Sequence, residues 1–386
     1  MTKITLNLIM FILLLYACNK TNNIENIAIS PNEFIPKKIK ISDFSEDLSY
    51  IFLSDNIPIA WIYSIQYFDN KYILGIKPQQ LVVFDNQGNY LHSIGKMGRG
   101  PGEYQYAFNF ALNDKDKEIY ILDKNKILVF SIDGNYKRDI DISSFEGSFD
   151  AIGYKESNIY LFENIKFGQA KFNWLIINIK GEKIFLKTNN IPKFKTHSTE
   201  LINVMFKSNN HYCYWNSLND TIFDVFANEY KSRYQFLDDS YRITLENIGD
   251  RNLYSNKIFI PRRFWESKQF LFFNYYMESK SGFGLFDKSN QKFFSLEQKK
   301  NPSGGKGYIN DLDSGVNFKP LEFLYINNHE YLVGWTDTYK LNTYLKSEAF
   351  QSSTPKYPEK KKELERQANS LDENDNPVLM LVKLKN

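Results

Sequence analysis

Residues 81–90 have the sequence Leu81-Val82-Val83-Phe84-Asp85-Asn86-Gln87-Gly88-Asn89-Tyr90. An apolar run is followed by a polar turn that contains a glycine, and then by the start of a second run. Val and aromatic side chains suit the pleated surface of a strand. Glycine tolerates the positive φ that a tight hairpin turn requires. The segment therefore predicts a β-hairpin.

The same pattern recurs four times, over residues 128–136, 175–183, 223–230 and 285–292. The turn residues of the five copies, in which Asn can replace Gly, are Gly88, Gly134, Gly181, Asn228 and Asn290, at spacings of 46, 47, 47 and 62 residues. Two shorter strand patterns precede each copy, for example at 108–111 and 118–122. Four short strands in a period of roughly 40–50 residues are typical of a β-propeller blade.

A sixth unit lacks this turn. Residues 323–326 and 331–335 form its first two strand patterns, and Pro377–Leu384 forms its third, near the end of the chain. We expect the N-terminal segment Lys38–Ile41 to supply the missing outer strand and close the ring. The prediction is an all-β protein, a six-bladed β-propeller with four-stranded antiparallel blades. The long last spacing leaves a seventh, divergent blade as the alternative.

An insertion, Thr336–Asn376, separates the second and third strand patterns of this last unit. Leu364, Ala368 and Leu371 recur at helical spacing, which predicts one helix over about residues 358–371 with an apolar stripe towards the body. The charged run Lys360-Lys361-Lys362 fits the solvated face of this helix.

The N-terminus has the pattern of an export signal. Lys3 precedes a short apolar stretch, residues 4–15, which ends in Leu15-Tyr16-Ala17-Cys18. This ending resembles the lipobox of bacterial lipoproteins. We therefore predict a signal peptide over 1–17, lipidation at Cys18, a tether over 18–36 and the propeller over 37–386. The alternative is an ordinary secretory signal with a chance cysteine.

Composition limits the classes of partner. The chain has 386 residues, 42% of them hydrophobic and 16% aromatic, so it can bury a large core. Lys and Arg exceed Asp and Glu by only 48 to 45, with no concentrated basic patch. Nucleic-acid binding is therefore not expected. Asn19, directly after the cysteine, favours the outer membrane as the destination of the lipid anchor.

A family resemblance supports these predictions. Residues 118–136 resemble an NHL repeat, and the Gly-rich segment 94–104 resembles the linker between such repeats. The whole chain is similar to the six-bladed β-propeller lipoproteins of Gram-negative bacteria. The resemblance implies a fold and an envelope location, but no activity.

Motifs for catalysis or metal binding are not evident. The loop Gly98–Gly102 lacks the following helix of a phosphate loop, so we interpret it as a linker between blades. His92, His197, His211 and His329 are not at metal-ligand spacing. We therefore predict no cofactor and no metal, with Ca²⁺ in the central channel as an alternative.

The predicted function is a ligand-binding or partner-binding module, whose partner is an unidentified envelope protein, peptide or glycan. The alternative is an enzyme, a metal-assisted hydrolase or a lyase that acts on a carbohydrate or lactone in the central channel. At least three carboxylate or amide oxygens converging on the channel would favour the enzyme.

Loops on one face of a propeller crowd around the channel, and loops on a rigid scaffold often carry function. These are the loops between second and third strands and the linkers between blades. The candidate ligand-binding residues on this face are Lys77, Gln79, Lys96, Arg99, Lys124, Asn125, Asn164, Trp215, Asp220, Glu278 and Trp335. Asn89 and Asn135 are expected on the opposite face.

Overall fold

A computed structural model of the protein describes residues 27–195, 203–208, 211–250, 252, 257–296 and 307–385. The described chain is mostly β-structure, in a propeller-like arrangement of four-stranded sheets. It begins with strands β1 (Ile27–Ile29) and β2 (Ile35–Lys37), a helical turn α1 (Ile41–Phe44) and strand β3 (Ser45–Phe52). The predicted signal peptide and Cys18 lie outside the described residues.

Three antiparallel sheets follow, each formed by four consecutive strands. Sheet 1 contains β4 (Trp61–Phe68), β5 (Lys71–Lys77), β6 (Gln80–Asp85) and β7 (Tyr90–Ile94). Sheet 2 contains β8 (Phe110–Asn113), β9 (Glu118–Asp123), β10 (Lys126–Ser131) and β11 (Tyr136–Asp141). Sheet 3 contains β12 (Phe149–Lys155), β13 (Asn158–Glu163), β14 (Phe172–Asn178) and β15 (Lys183–Thr188).

A ten-stranded sheet comes next, in the order β1-β19-β18-β17-β16-β20-β21-β22-β23-β2. Its first half contains β16 (Asn203–Ser208), β17 (His211–Asn216), β18 (Thr221–Val225) and β19 (Tyr230–Phe236). Its second half contains β20 (Ile260–Glu266), β21 (Phe270–Met277), β22 (Lys280–Asp287) and β23 (Lys292–Leu296). Over the residues that the structure describes, the backbone pairing between the two halves consists of one pair, Ser208 on β16 and Glu266 on β20.

The last sheet, the closing sheet, joins the two ends of the described chain. It contains β24 (Pro320–Ile326), β25 (His329–Thr336), β26 (Val378–Leu384) and β3, in that order. The prediction that an N-terminal strand completes this sheet is confirmed, but the predicted segment, Lys38–Ile41, is wrong. The strand that pairs with β26 is β3, whereas Lys40 forms a single bridge to Ile309.

The five predicted hairpins are all present, as the pairs β6–β7, β10–β11, β14–β15, β18–β19 and β22–β23. Gly88, Gly134 and Gly181 have the expected positive φ, of 91°, 88° and 88°. The same expectation is wrong at the two asparagines. The side chain of Asn290 bonds Asp287 and Lys292, so the positive φ of that turn, 57°, falls on the next residue.

The turn at Asn228 closes in a different way. A bond of 2.9 Å from the Phe226 N–H to the Glu229 carbonyl closes it, and Asn228 does not adopt a positive φ. The apolar pattern therefore predicted each hairpin, while the conformation inside the turn varied.

The N-terminal segment forms a belt, defined here as residues 27–52. Strand β1 pairs in parallel with β19, β2 pairs in parallel with β23, and β3 completes the closing sheet. The predicted tether, residues 18–36, therefore includes β1 and the first two residues of β2. Ile29 of β1 is buried in the core of the ten-stranded sheet, and this burial stabilises the pairing of β1.

The hydrophobic core is divided among the interfaces between neighbouring sheets. One cluster packs the closing sheet on sheet 1, others pack sheet 1 on sheet 2 and sheet 2 on sheet 3, and the remaining large clusters involve the ten-stranded sheet. Polar bonds cross the same interfaces: Gln66 donates to the Phe110 carbonyl (2.7 Å), and Trp265 donates to the Leu321 carbonyl (3.0 Å). Each sheet is thus held by the next one around a closed ring.

The insertion between β25 and β26 contains three helices rather than the single one predicted: α2 (Thr338–Leu345), α3 (Glu348–Gln351) and α4 (Pro358–Ala368). The predicted stripe is confirmed, since Leu364 and Ala368 are buried and Leu371 packs against the same cluster. Helix α4 ends at Ala368, slightly before the predicted end. Within the described ranges, every helix is too short or too polar to cross a bilayer.

Candidate functional site

The two faces of the ring differ in their loops. Because successive strands are antiparallel, the connections from second to third strands all leave the same face, which we call the upper face. These connections are residues 78–79, 124–125, 164–171, 217–220, 278–279 and 337–377. The lower face carries the hairpin turns, such as those at Gly88 and Gly134.

A channel of about 1130 Å³ passes through the centre of the ring. Its wall consists of strands β4, β8, β12, β16, β20 and β24, with residues that flank them. Each of these strands begins at the upper face, so early residues line the upper half of the channel. A cavity of this size exceeds the usual range of small-molecule sites, which is roughly 300–1,000 Å³.

Aromatic side chains lie on one side of the upper half of the channel, on β4 and just before β8. Tyr63 and Phe108, both in the channel wall, are in edge contact at a ring-centroid distance of 4.5 Å. Trp61, two residues before Tyr63, is 49% exposed and contacts Trp335 edge-on at 4.7 Å. Such amphipathic rings can stack on a sugar or anchor a peptide side chain.

Charged side chains share the upper half of the channel wall. Arg263 on β20 is exposed to the channel and donates one hydrogen bond to the Leu321 carbonyl (3.2 Å). Glu322, on the neighbouring strand β24, also lines the channel. Burial raises the pKa of Glu322 to about 7, and the positive charge of Arg263 only partly opposes this change. A substantial fraction of this carboxyl group is therefore protonated at neutral pH.

A second group of charges lies in the lower half. Asp114 follows β8, and Lys155 and Lys207 lie near the lower ends of β12 and β16. Desolvation lowers the pKa of the Lys207 ammonium, Asp114 opposes that change, and Lys155 adds to it. Desolvation likewise raises the pKa of Asp114, against the effect of Lys207. The channel wall thus partly desolvates both the Lys207 ammonium and the Asp114 carboxylate.

The predicted ligand-binding residues occupy the upper face on separate loops or strand ends. Lys77, Lys96, Arg99, Lys124 and Asn125 are exposed, and Gln79, Asn164, Asp220, Glu278 and Trp335 are half-buried. Lys96 pairs with Glu103 at 2.9 Å, within the Gly-rich linker. None of these residues belongs to the channel wall.

The two predicted tryptophans differ. Trp215 is buried in the core, and its indole N–H donates to the Asn219 carbonyl (2.8 Å), so it presents no ring at the surface. Trp335 is half-buried, donates to the Ile62 carbonyl (3.1 Å) and leaves its ring against Trp61. Of the two, only Trp335 can take part in an aromatic surface.

Sequence reasoning missed the residues of the channel wall. Arg263 follows Arg262 in a segment that is otherwise apolar, residues 258–265, and Glu322 is the charged residue of a second apolar segment, residues 321–326. A charge within an apolar strand is a signal, because a buried charge is costly unless it is paired or faces water. The pattern alone does not show which face of the strand points to a channel.

A second polar cluster lies at the lower end of the ten-stranded sheet. His211 Nε2 is 2.8 Å from Asp224 Oδ1, and Cys213 Sγ is 3.3 Å from the same atom. A metal could use these three ligand types, which lie within 4.8 Å of one another. The sequence did not suggest this group, because Asp224 lies on a different strand.

Arg233 already holds the carboxylate of this cluster. Its guanidinium donates to both oxygens of Asp224, at 3.3 and 3.1 Å, and also to Glu266, which pairs with Lys288. Burial raises the pKa of the Cys213 thiol well above its ordinary value, and the nearby carboxylates add to this effect. A protonated thiol is a poor metal ligand. The cluster is therefore better suited to join the two halves of the sheet than to hold a metal.

Comparison with known proteins identifies solved structures with a similar fold and a family model that matches the sequence. No curated protein matches the sequence. A crystal structure from Bacteroides fragilis, of a protein provisionally described as exported, superposes with a TM-score of 0.68 at 17% identity, covering 93% of this chain and 99% of that chain. A duf4221 family member from Bacteroides vulgatus gives a TM-score of 0.52 at 12% identity, covering 88% and 97%. At these identities the likeness shows the fold alone. The model of the family described as "Domain of unknown function (DUF4934)" matches residues 25–383, and the chain therefore belongs to that family.

Proposed function

We propose that the protein is a binding module of the cell envelope: a six-bladed β-propeller, anchored by a lipid at Cys18, that holds a polar ligand in its central channel. The channel carries the proposal. It is a large cavity in a rigid ring, and its upper half combines aromatic rings with charged groups. Cavities of this composition are the usual place for a ligand.

The count of six blades rests on the ten-stranded sheet. Each half of that sheet repeats the order of four consecutive strands found in sheets 1 to 3, and among the described residues one backbone pair, Ser208 and Glu266, connects strands β16 and β20 of the two halves. Strands β1 and β2 are additions at the outer edges. Six inner strands also line the channel. A crystal structure with another number of radial sheets would refute this count.

One feature supports binding rather than metal-assisted catalysis. A metal-assisted hydrolase would need oxygen ligands that converge on the channel. Among the described residues, the one group of three His, Cys, Asp or Glu side chains at metal-ligand distance is His211, Cys213 and Asp224. None of these three residues lines the channel.

Two features support entry of the ligand from the upper face. Aromatic rings lie in the upper half of the channel, and the helical insertion lies on the same face. Binding to glycan and peptide arrays tests the idea, with Tyr63→Ala and Phe108→Ala as channel variants. We expect each variant to fold. Each should bind the ligand that the arrays identify for the wild type with an affinity lower by about tenfold or more.

The matched controls are Asn89→Ala and Asn135→Ala, in hairpin turns of the lower face. These controls should bind as the wild type does. The proposal fails if the lower-face variants lose binding while the channel variants keep it, or if the protein converts the ligand into a product.

The lipid anchor is supported by the lipobox at Leu15–Cys18 and by the short distance, in sequence, from Cys18 to the first described strand. Metabolic labelling with a fatty acid tests it in cells. Cys18→Ala should abolish the label and move the protein from the membrane fraction to the soluble fraction. Unchanged membrane partitioning of this variant would refute the anchor.

A further inference from the structure

The channel wall has an excess of positive charge. Its lining includes four basic residues, Lys115, Lys155, Lys207 and Arg263, and three acidic ones, Asp114, Glu156 and Glu322. A fifth basic residue of the lining, Arg262, directs its guanidinium over the ring of Tyr276, which is not part of the channel wall. The complete chain is nearly balanced, at 48 basic to 45 acidic residues. A cleft with one predominant sign of charge and low-dielectric walls concentrates the electric field and attracts ligands of the opposite sign.

The acidic groups leave much of this charge available. Glu156 pairs with Lys155 at 3.3 Å at the lower rim. Within the described residues, Arg263 and Lys207 have no carboxylate within the 4.0 Å of an ion pair. The raised pKa of Glu322, caused first by burial, keeps much of that carboxyl group uncharged at neutral pH. Arg263 therefore has no full counter-charge beside it.

The aromatic wall lies across the channel from the cations. Six strands line the channel in the order β4, β8, β12, β16, β20 and β24, so strands three places apart are opposite each other. Phe108, just before β8, thus lies opposite Arg263 on β20. Tyr63 on β4 is on the side opposite Lys207 on β16. A ligand between these walls would contact rings on one side and positive charges on the other.

We propose that the ligand of the channel is an acidic saccharide, with a sugar ring against Tyr63 and Phe108 and a carboxylate against Arg263. The inference rests on the proposed function, that the channel binds a ligand. The apolar C–H face of a sugar packs on an aromatic ring. A guanidinium offers two parallel N–H groups to a carboxylate. The volume of the channel, about 1130 Å³, fits an oligosaccharide better than a single sugar.

Titration calorimetry with two matched probes tests the inference on the mature protein. The probes are a galacturonic acid trisaccharide and the neutral galactose trisaccharide. We expect the acidic probe to bind at least tenfold more tightly, and its affinity to fall as salt screens the charges. Arg263→Gln should weaken the acidic probe by about 10- to 100-fold and leave any binding of the neutral probe unchanged.

The control variant is Arg366→Gln. Arg366 lies on α4, is 74% exposed and pairs with Glu363, away from the channel wall. Like Arg263→Gln, the variant Arg366→Gln removes one positive charge, but it should not change the affinity for either probe. Equal affinity for the two probes would overturn the acidic specificity, and so would full affinity of Arg263→Gln for the acidic probe. In either case the array experiment with the Tyr63 and Phe108 variants would still test separately whether the channel binds a ligand. No binding of the acidic probe at millimolar concentration would also overturn the inference.

Discussion

Replacing Glu322 by glutamine tests whether the channel holds this carboxyl group in its neutral form. Glutamine keeps the size of the side chain and cannot ionise. Burial raises the pKa of Glu322 from an ordinary value of 4.5 to about 7. Below pH 4.5 the group is protonated in both the folded and the unfolded protein. Between these values the unfolded chain loses the proton while the folded protein keeps it, so the free energy of unfolding falls as pH rises.

The size of the effect follows from the two pKa values. A difference between 4.5 and about 7 corresponds to a loss of at most about 3 kcal/mol at pH values above 7. The free energy of unfolding of Glu322→Gln does not fall in this way, because glutamine has no ionisable group. Relative to the wild type, the variant should therefore gain up to about 3 kcal/mol in stability between pH 4 and pH 8. For a domain of this length the gain is about 4 °C in Tm.

Urea denaturation at pH 4, 6 and 8, followed by tryptophan fluorescence, measures the difference directly. The control is Glu156→Gln, because that side chain is 76% exposed and pairs with Lys155 at the rim. The control should follow the wild type at every pH. If Glu322→Gln is equally or less stable at pH 8 than at pH 4, relative to the wild type, the carboxyl group is not held neutral and the reasoning is wrong.

Three further changes test the packing of the ring. Gly88→Ala should destabilise the protein by at least about 1 kcal/mol in thermal unfolding, because the residue has a φ of 91° and a Cβ atom would lie 2.2 Å from the Phe52 carbonyl oxygen; an unchanged Tm would contradict this. Arg233→Met should lower the free energy of unfolding, measured with denaturant, by about 3–5 kcal/mol, because it leaves two buried carboxylates, Asp224 and Glu266, without their shared partner. An unchanged free energy of unfolding would mean that these carboxylates are protonated at little cost. Deletion of residues 378–385 should prevent folding, as judged by limited proteolysis, because β26 lies inside the closing sheet; a protease-resistant product would argue against closure by this strand.

Local patterns predicted the hairpins well. The run at 81–84 and its four copies combine strand residues with a turn, so each hairpin is specified by neighbours in sequence. The closing strand was harder, because β3 begins with the polar residues Ser45, Glu46 and Asp47. Its position depends on the free edge of β26 at the other end of the chain. A strand propensity cannot identify a partner so far away.

The candidate site was predicted in part. Sequence reasoning placed the upper-face loops correctly relative to the strands, but Trp215 is buried and the charges of the wall, such as Arg263, were missed. The side of a strand that faces the channel follows from alternation only when the register and the neighbouring sheets are known. The pKa of Glu322 depends on the same surroundings. These properties arise from the closed ring, and no single segment contains them.

The belt of residues 27–52 has a consequence for the order in which the protein can form. Ser45 bonds the backbone of Lys383, 338 positions later. A chain that is synthesised from its N-terminus must therefore leave the edge of β3 unpaired until β26 has been made. Pairing at such separations slows folding, and open strand edges invite association with other chains. In the cell, the ring can close only after the whole chain has emerged, so its early strands need protection until then.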